Sequence, residues 1–339
     1  MFKGNYIGTK IRQRKFWKKH SATENAFRHA KNYILGHFAY FCKTMNDKKQ
    51  DFQVPLNFAA MCEAVRPVYE SKGEARSVLL WWLEAKYGVR PAMALCDVFP
   101  EFTDLQRLQL AADLQQLSEG CPVQYVLGYA EVGGRQWEVT PDVLIPRPET
   151  HELIEWILSD EKSIENNSSS RRILDIGTGS GFIAISLAAG LLQADVEAWD
   201  ISDAALEVAR RNAARYGVNV CFRQEDMCKP QHAVGQIWNV LVSNPPYVRE
   251  LEQADMQQRV LNFEPHKALF VPDDDPLRFY RALAVLGQQH LAGDGRMYLE
   301  INQYLYRETE QLMRDAGFLD VTLRRDEFGN YRMMRVTKG

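Results

Sequence analysis

Two short stretches of the chain carry residue types suited to a group-transfer reaction. The first is Asn244-Pro245-Pro246-Tyr247. The Asn244 side-chain carbonyl and the backbone carbonyl of Pro245 can both accept from one planar NH₂ group. The Tyr247 ring can stack on the flat face of that group, a task that needs the ring and not the hydroxyl. Such a nitrogen is a poor nucleophile because its lone pair is delocalised. Holding it in line with an electrophile supplies proximity, and carbonyl dipoles stabilise the positive charge that develops on it. The nitrogen carries no proton that a side chain can remove at neutral pH, so the proton leaves after transfer. No metal and no covalent nucleophile are required. A merely structural Pro-Pro turn is the plainer alternative.

The second stretch is Asp175-Ile176-Gly177-Thr178-Gly179-Ser180-Gly181. A Cβ at the alternate glycines would keep the backbone away from a ligand. Alone, this spacing suits a dinucleotide, S-adenosylmethionine or a tight turn. Asp200 follows at the end of the next apolar run, where a carboxylate can accept from ribose hydroxyls. Its alternative is a cap for the helix expected over Asp203 to Tyr216. No Gly-Lys-Ser/Thr follows the glycines, which disfavours a phosphate-cradling loop and leaves a nucleoside cofactor. A methyl sulfonium is then the electrophile in line with the nitrogen held at Asn244.

Both stretches need a strand before them. Ile173, Leu174 and Ile176 form a short apolar run of the buried parallel kind, and Trp238 to Ser243 forms another. Ala194 to Trp199, Val218 to Arg223, Arg296 to Ile301, Val321 to Arg325 and Tyr331 to Val336 complete seven strands. Helices are expected over Ile183 to Leu192, Asp203 to Tyr216, Pro276 to Leu291 and Tyr304 to Ala316. The alternation predicts an α/β fold with a doubly wound, mostly parallel seven-stranded sheet. The last two strands would form an antiparallel hairpin at one edge. Ligands in such sheets bind at the carboxyl ends of the strands.

Upstream, Asn57 to Tyr69, Glu74 to Tyr87, Pro91 to Val98 and Thr103 to Ser118 read as short helices of a small bundle, with Trp81 and Trp82 as core or interface aromatics. Gln124 to Leu127 and Arg135 to Val139 read as two strands joined at Gly133-Gly134. The prolines in Val143 to Thr150 fix an extended path, and Thr150 is placed to cap a helix over His151 to Leu158. Glu161 to Ser170 reads as a surface loop. These divisions predict a basic extension over 1–44, a helical part over 45–120, a hairpin linker over 121–150 and the sheet domain over 151–339.

The net charge of −3 conceals an asymmetry. Residues 1–44 hold ten basic residues and one acidic residue, whereas the remainder holds 31 and 43. The basic start suits a nucleic-acid arm, an organellar presequence or translated upstream sequence before a start at Met45. The acidic remainder argues against a nucleic-acid substrate. No apolar run approaches a membrane span. The six cysteines show no Cys-x-x-Cys pairing, which argues against a zinc site or disulfide framework and fits a reducing cytoplasm.

Asp175 to Gly181, Asp200 and Asn244 to Tyr247 resemble the motifs of S-adenosylmethionine-dependent amino methyltransferases. Gln124-Tyr-Val-Leu-Gly128, Leu144-Ile-Pro-Arg-Pro-Glu-Thr150, Phe263-Glu-Pro265 and Gly329-Asn330 narrow the resemblance to the release-factor glutamine methyltransferase family. It covers about 50 to 336 and not 1–44. It implies a Rossmann-like class I methyltransferase sheet and a helical part that docks class 1 peptide-chain release factors. The methyl acceptor would be the glutamine of their Gly-Gly-Gln motif. By the same resemblance, Asp175, Gly177, Thr178, Gly179, Ser180, Gly181, Asp200, Asp226, Met227 and Asn244 bind S-adenosyl-L-methionine. Asn244, Pro245, Pro246 and Tyr247 hold the glutamine. A cytoplasmic monomer without stable nucleic acid or membrane contact is the corresponding expectation. Met227 departs from the family, which often has an aromatic residue there, though a thioether can still pack on adenine. His151 stands where the family usually has Glu and reads as a surface residue. Methylation of a ribosomal-protein glutamine, methylation of a nucleic-acid base amine, and a non-catalytic cofactor scaffold are the alternatives.

Overall fold

The computed structural model describes residues 57–163 and 170–338. The basic segment 1–44, the question of a start at Met45 and most of the expected serine-rich loop lie outside the described residues.

Three of the upstream helices begin where a side chain satisfies free N–H groups. Asn57 caps Phe58–Val65 and Ser71 caps Lys72–Tyr87. Thr103 and Gln106 form a reciprocal capping box on Asp104–Ser118. Their apolar faces close on Trp82, which is fully buried, while Trp81 is packed only at the margin. The Trp82 indole donates to Asp113 at 3.0 Å, and Lys86 pairs with the same carboxylate. The buried indole thus keeps a partner, as a polar group in a core must.

Three expectations for the stretch before the sheet are corrected. Gln124 to Leu127 is not a strand but part of a short helix, Val123–Leu127, entered from Pro122 and ended by Gly128 at φ 79°. The hairpin pairs β1 (Tyr129–Val132) with β2 (Arg135–Glu138) around Gly133 and Gly134, both at positive φ. Five residues are too few for periodicity to separate helix from strand. Thr150 is not a cap. Pro148 takes the first helical position, so the helix runs Pro148–Lys162 and Thr150 lies inside its first turn. His151 is half-buried rather than a free surface residue. Its ring lies so close under Gly133 that a Cβ there would meet it at 2.8 Å.

The large sheet contains β3 (Arg171–Ile176), β4 (Ala194–Asp200), β5 (Cys221–Gln224) and β6 (Trp238–Ser243). A small pair, β7 (Val248–Arg249) and β8 (Phe270–Val271), stands apart from it. β9 (Leu291–Glu300), β10 (Asp320–Arg325) and β11 (Tyr331–Thr337) complete the sheet in the order β10-β11-β9-β6-β3-β4-β5. Strands β9 to β5 run parallel, and β11 and β10 form the antiparallel edge hairpin.

The side-chain period of two divides the core between the two faces. Ile173, Val240, Val242 and Tyr298 pack under the helices Pro148–Lys162 and Phe182–Gly190. Leu174, Leu241, Met297 and Leu299 pack under Arg278–His290 and Tyr306–Asp315. Burying each such side chain contributes about 1.5–3 kcal/mol. β4 lies on one side of β3 and β6 on the other, so the sheet order reverses at β3. The carboxyl ends of β3 and β6 therefore open a crevice.

Candidate functional site

Register brings the two sequence motifs together. Ile176 of β3 lies opposite Ser243 of β6, so Gly177 and Asn244 leave neighbouring strands at one level. The Ser243 hydroxyl donates to the Ile176 carbonyl at 2.6 Å and fixes that level. The N–H groups of Gly177 and Thr178 both donate to the Trp199 carbonyl on β4, folding the glycine turn over the sheet edge. Gly177 and Gly179 hold φ of +77° and +55°. An added Cβ would meet nothing within 4 Å at Gly179, and only the Met227 methyl at Gly177. Those two positions therefore form a backbone cradle that side chains would fill. Gly181 serves a different purpose. A Cβ there would strike Ile185 at 2.6 Å and Ala209 at 3.1 Å, so this glycine permits the close approach of two helices.

The two acidic residues flank the turn. Asp175 is wholly buried beneath it. One carboxylate oxygen accepts from the Thr178 hydroxyl at 2.6 Å and from Ala184 N–H at 3.1 Å, while the other has no partner. Burial pushes its pKa up to about 7 against those two bonds. Asp200 accepts from Gly179 N–H at 2.8 Å and from Ser202 N–H at 2.9 Å. Burial raises its pKa too, opposed by the backbone donors of Ser202 and Gly179. The cap of the helix Asp203–Tyr216 is Ser202, whose hydroxyl accepts from Ala205 N–H.

A cavity of about 720 Å³ lies over this edge. Gly177, Thr178, Gly179, Ser180, Asp200, Asp226, Met227, Asn244 and Pro246 line it. Asp175, Gly181, Pro245 and Tyr247 are not among its lining residues. The facing wall, Pro141 to Arg147, is fastened from two sides. Tyr125 donates to the Val143 carbonyl at 2.7 Å. Buried Glu264 accepts from Ile145 N–H at 3.2 Å and from the Arg147 guanidinium at 2.5 Å. Stretches 124–128, 144–150 and 263–265 thus meet as one wall of the cavity and its braces.

Asn244 is held from behind. Its Nδ2 donates to Thr150 Oγ1 at 3.1 Å, and Thr150 Oγ1 donates to Glu300 Oε2 at 2.7 Å. The Tyr247 hydroxyl donates to Glu300 Oε1 at 2.8 Å, and Asn302 Nδ2 donates to the Tyr247 carbonyl at 2.9 Å. Burial raises the pKa of Glu300 and of Tyr247. The Tyr247 hydroxyl, which stacking would not need, thus satisfies one oxygen of a buried carboxylate. Sequence reasoning missed Glu300 and Glu264 as side chains with a task and gave Thr150 a different one. For Glu300 the sequence offers only its place one residue before the end of the strand expected over Arg296 to Ile301, which names no partner; it ends the observed β9.

A family model described as Methyltransferase small domain matches residues 161–267. A release factor glutamine methyltransferase of Flavobacterium psychrophilum is 40% identical over 274 residues, which span 81% of this chain and 95% of that protein. The protein of the same name in Bacteroides thetaiotaomicron is 45% identical over 223 residues, spanning 66% of this chain and 78% of its own. Among solved structures, a methyltransferase from Pyrococcus furiosus is 19% identical at a TM-score of 0.45, covering 61% of this chain and 90% of that one.

Proposed function

The chain belongs to the release factor glutamine methyltransferase family, and from that premise we propose how its residues methylate the glutamine of the Gly-Gly-Gln motif in a class 1 release factor. The cavity suits S-adenosylmethionine, which when bound supplies an electrophilic methyl group. Gly177 and Gly179 leave room for a ligand against bare backbone. Asp200 keeps lone pairs for ribose hydroxyls beside the two backbone bonds it accepts. Met227 and Ile201 give an apolar surface on which a purine can pack.

Asn244 and the Pro245 carbonyl accept the two hydrogens of the glutamine amide and so aim its nitrogen lone pair into the cavity. Positive charge grows on that nitrogen during transfer, and both acceptor dipoles strengthen their hold as it does. The proton leaves afterwards, from a nitrogen that methylation has made cationic. The observation that carries this reading is the register of Ile176 with Ser243, which sets the Asn244 acceptor beside the glycine cradle. The helical part is the docking surface for the release factor in this reading, supported by exposed Leu105 and Leu108 on one of its helices. No described helix is long and apolar enough to cross a membrane.

The test is the mass of the Gly-Gly-Gln peptide from a folded release factor after incubation with the protein and S-adenosylmethionine. One added methyl on the glutamine is expected. Methylation of adenine-containing DNA alone, in a parallel reaction, would overturn the substrate.

A further inference from the structure

Asn244 works only if its oxygen, not its nitrogen, faces the substrate amide. The two ends of a carboxamide have nearly the same shape, so packing alone does not choose between them. Hydrogen bonds choose. We propose that Glu300 is the positioning residue that makes this choice, acting on Asn244 through Thr150.

The argument is a count of protons. Glu300 is 1% exposed, and as a carboxylate it can only accept. The Thr150 hydroxyl has one proton and gives it to Glu300 Oε2 at 2.7 Å. Thr150 therefore has only lone pairs left for Asn244, 3.1 Å away. Only the NH₂ end of Asn244 can meet a lone pair. Oδ1 is left without a hydrogen bond among the described residues, and Asn244 lines the cavity. The other Glu300 oxygen is held by the Tyr247 hydroxyl at 2.8 Å, so the carboxylate cannot turn away from Thr150 without stranding a second group. The Tyr280 hydroxyl anchors the Glu300 backbone carbonyl at 3.1 Å. Arg332, whose charge favours the ionised carboxylate, has its guanidinium 5.9 Å from the centre of the Tyr247 ring. Turning the Asn244 amide over would set oxygen against oxygen at Thr150 and present NH₂ to the NH₂ of the substrate.

This inference rests on the proposed role of Asn244 in holding the glutamine, so its test has one arm that needs no substrate. In the full chain, Thr150→Val keeps the side-chain volume and removes the hydroxyl, whereas Thr150→Ser keeps the hydroxyl. The Val variant is expected to lose about tenfold or more in kcat with cofactor affinity held within about twofold, and Ser to restore most of it. Glu300→Gln is expected to lower kcat in the parent but to add much less on top of Thr150→Val, because the two act as one unit. Independently of activity, the Asn244 side-chain NH₂ protons should exchange slowly by NMR in the parent and in Ser, and faster in Val. Parent-like kcat in Val, failure of Ser to rescue, full additivity of the double variant, or Asn244 exchange indifferent to Thr150 would each overturn the relay. If the exchange pattern holds while the parent leaves release-factor glutamine unmodified, the relay stands and the substrate reading falls.

Discussion

The turn after β3 and the turn after β6 stand side by side at one sheet edge and are built in opposite ways. The glycine turn is made of backbone. Its shape comes from positive φ at three glycines, and its bonds run to the Trp199 carbonyl and the Asp200 carboxylate. The Asn244 turn presents a side chain, and what sets that side chain lies far away in the chain. Thr150 is 94 residues from Asn244, and Glu300 is 53 from Tyr247 and 150 from Thr150. A backbone cradle accommodates a ligand of fixed shape. A side-chain acceptor with a defined polarity can favour a transition state over a ground state. The first turn should therefore govern binding of the cofactor and the second should govern turnover.

The largest expected effect breaks that division at its sharper end. Asn244→Ala removes the acceptor proposed to face the reacting nitrogen. Single-turnover methylation of a folded release factor should fall by about 10²–10³-fold, the scale for losing one transition-state hydrogen bond. Cofactor affinity, read by calorimetry, should stay within about threefold. Equal losses in both would mean that the two turns are one functional unit. At the other turn, Asp200→Ala should weaken cofactor binding by roughly 1–3 kcal/mol. It removes the proposed ribose acceptor and also frees the N–H groups of Gly179 and Ser202. At saturating cofactor its turnover should approach the parent value. A turnover defect that saturation does not mend would place Asp200 on the Asn244 side of the comparison.

The same contrast explains what could be read before the structure. The glycine turn, Asp200, the strand alternation and the antiparallel edge pair were legible because each signal is local and periodic. Asn244 was legible because two prolines after an apolar run force a turn at a strand end. Glu300 and Thr150 were not, since no local pattern says that a strand-end carboxylate and a helix-start hydroxyl will meet. Thr150 was misread as a cap because Ser and Thr near a helix start usually act as one. Pro148 moved the start by three residues and freed the hydroxyl. Gln124 to Leu127 failed for a different reason. The run is short and apolar, and its helical form is fixed by Pro122, Gly128 and the bond from Tyr125 to Val143.

Tyr247→Phe gives a smaller and sharper test. The ring survives and the hydroxyl does not, so one oxygen of buried Glu300 loses its donor. A stability loss of about 1–3 kcal/mol is expected from an unpaired buried acceptor, read by denaturant unfolding. Turnover should fall by about tenfold or less, because Thr150 still holds the other oxygen. A stability equal to the parent would show that the hydroxyl bond contributes nothing net.

The smallest effect concerns the buried residue beneath the glycine turn. Asp175 has an ordinary pKa of 3.8, and burial raises it to about 7 in the folded chain. Between those values the folded state holds a proton that the unfolded state has released. Stability therefore falls as pH rises through this window, and the proton's contribution, complete below the unfolded value, is gone above about 7. Asp175→Asn cannot titrate. Its amide oxygen can still accept from Thr178 and Ala184, and its NH₂ replaces the oxygen that has no partner. Any fixed cost of that replacement is independent of pH. The melting temperature of the variant minus that of the parent should therefore increase from pH 5 to pH 8, by about 1–2 °C for each kcal/mol in a chain of this size. A difference that is flat or decreases would mean that Asp175 is ionised throughout and that Thr178 and Ala184 outweigh its burial. The glycine turn would then rest on a charge, and its division from the Asn244 turn would no longer be one of backbone against side chain.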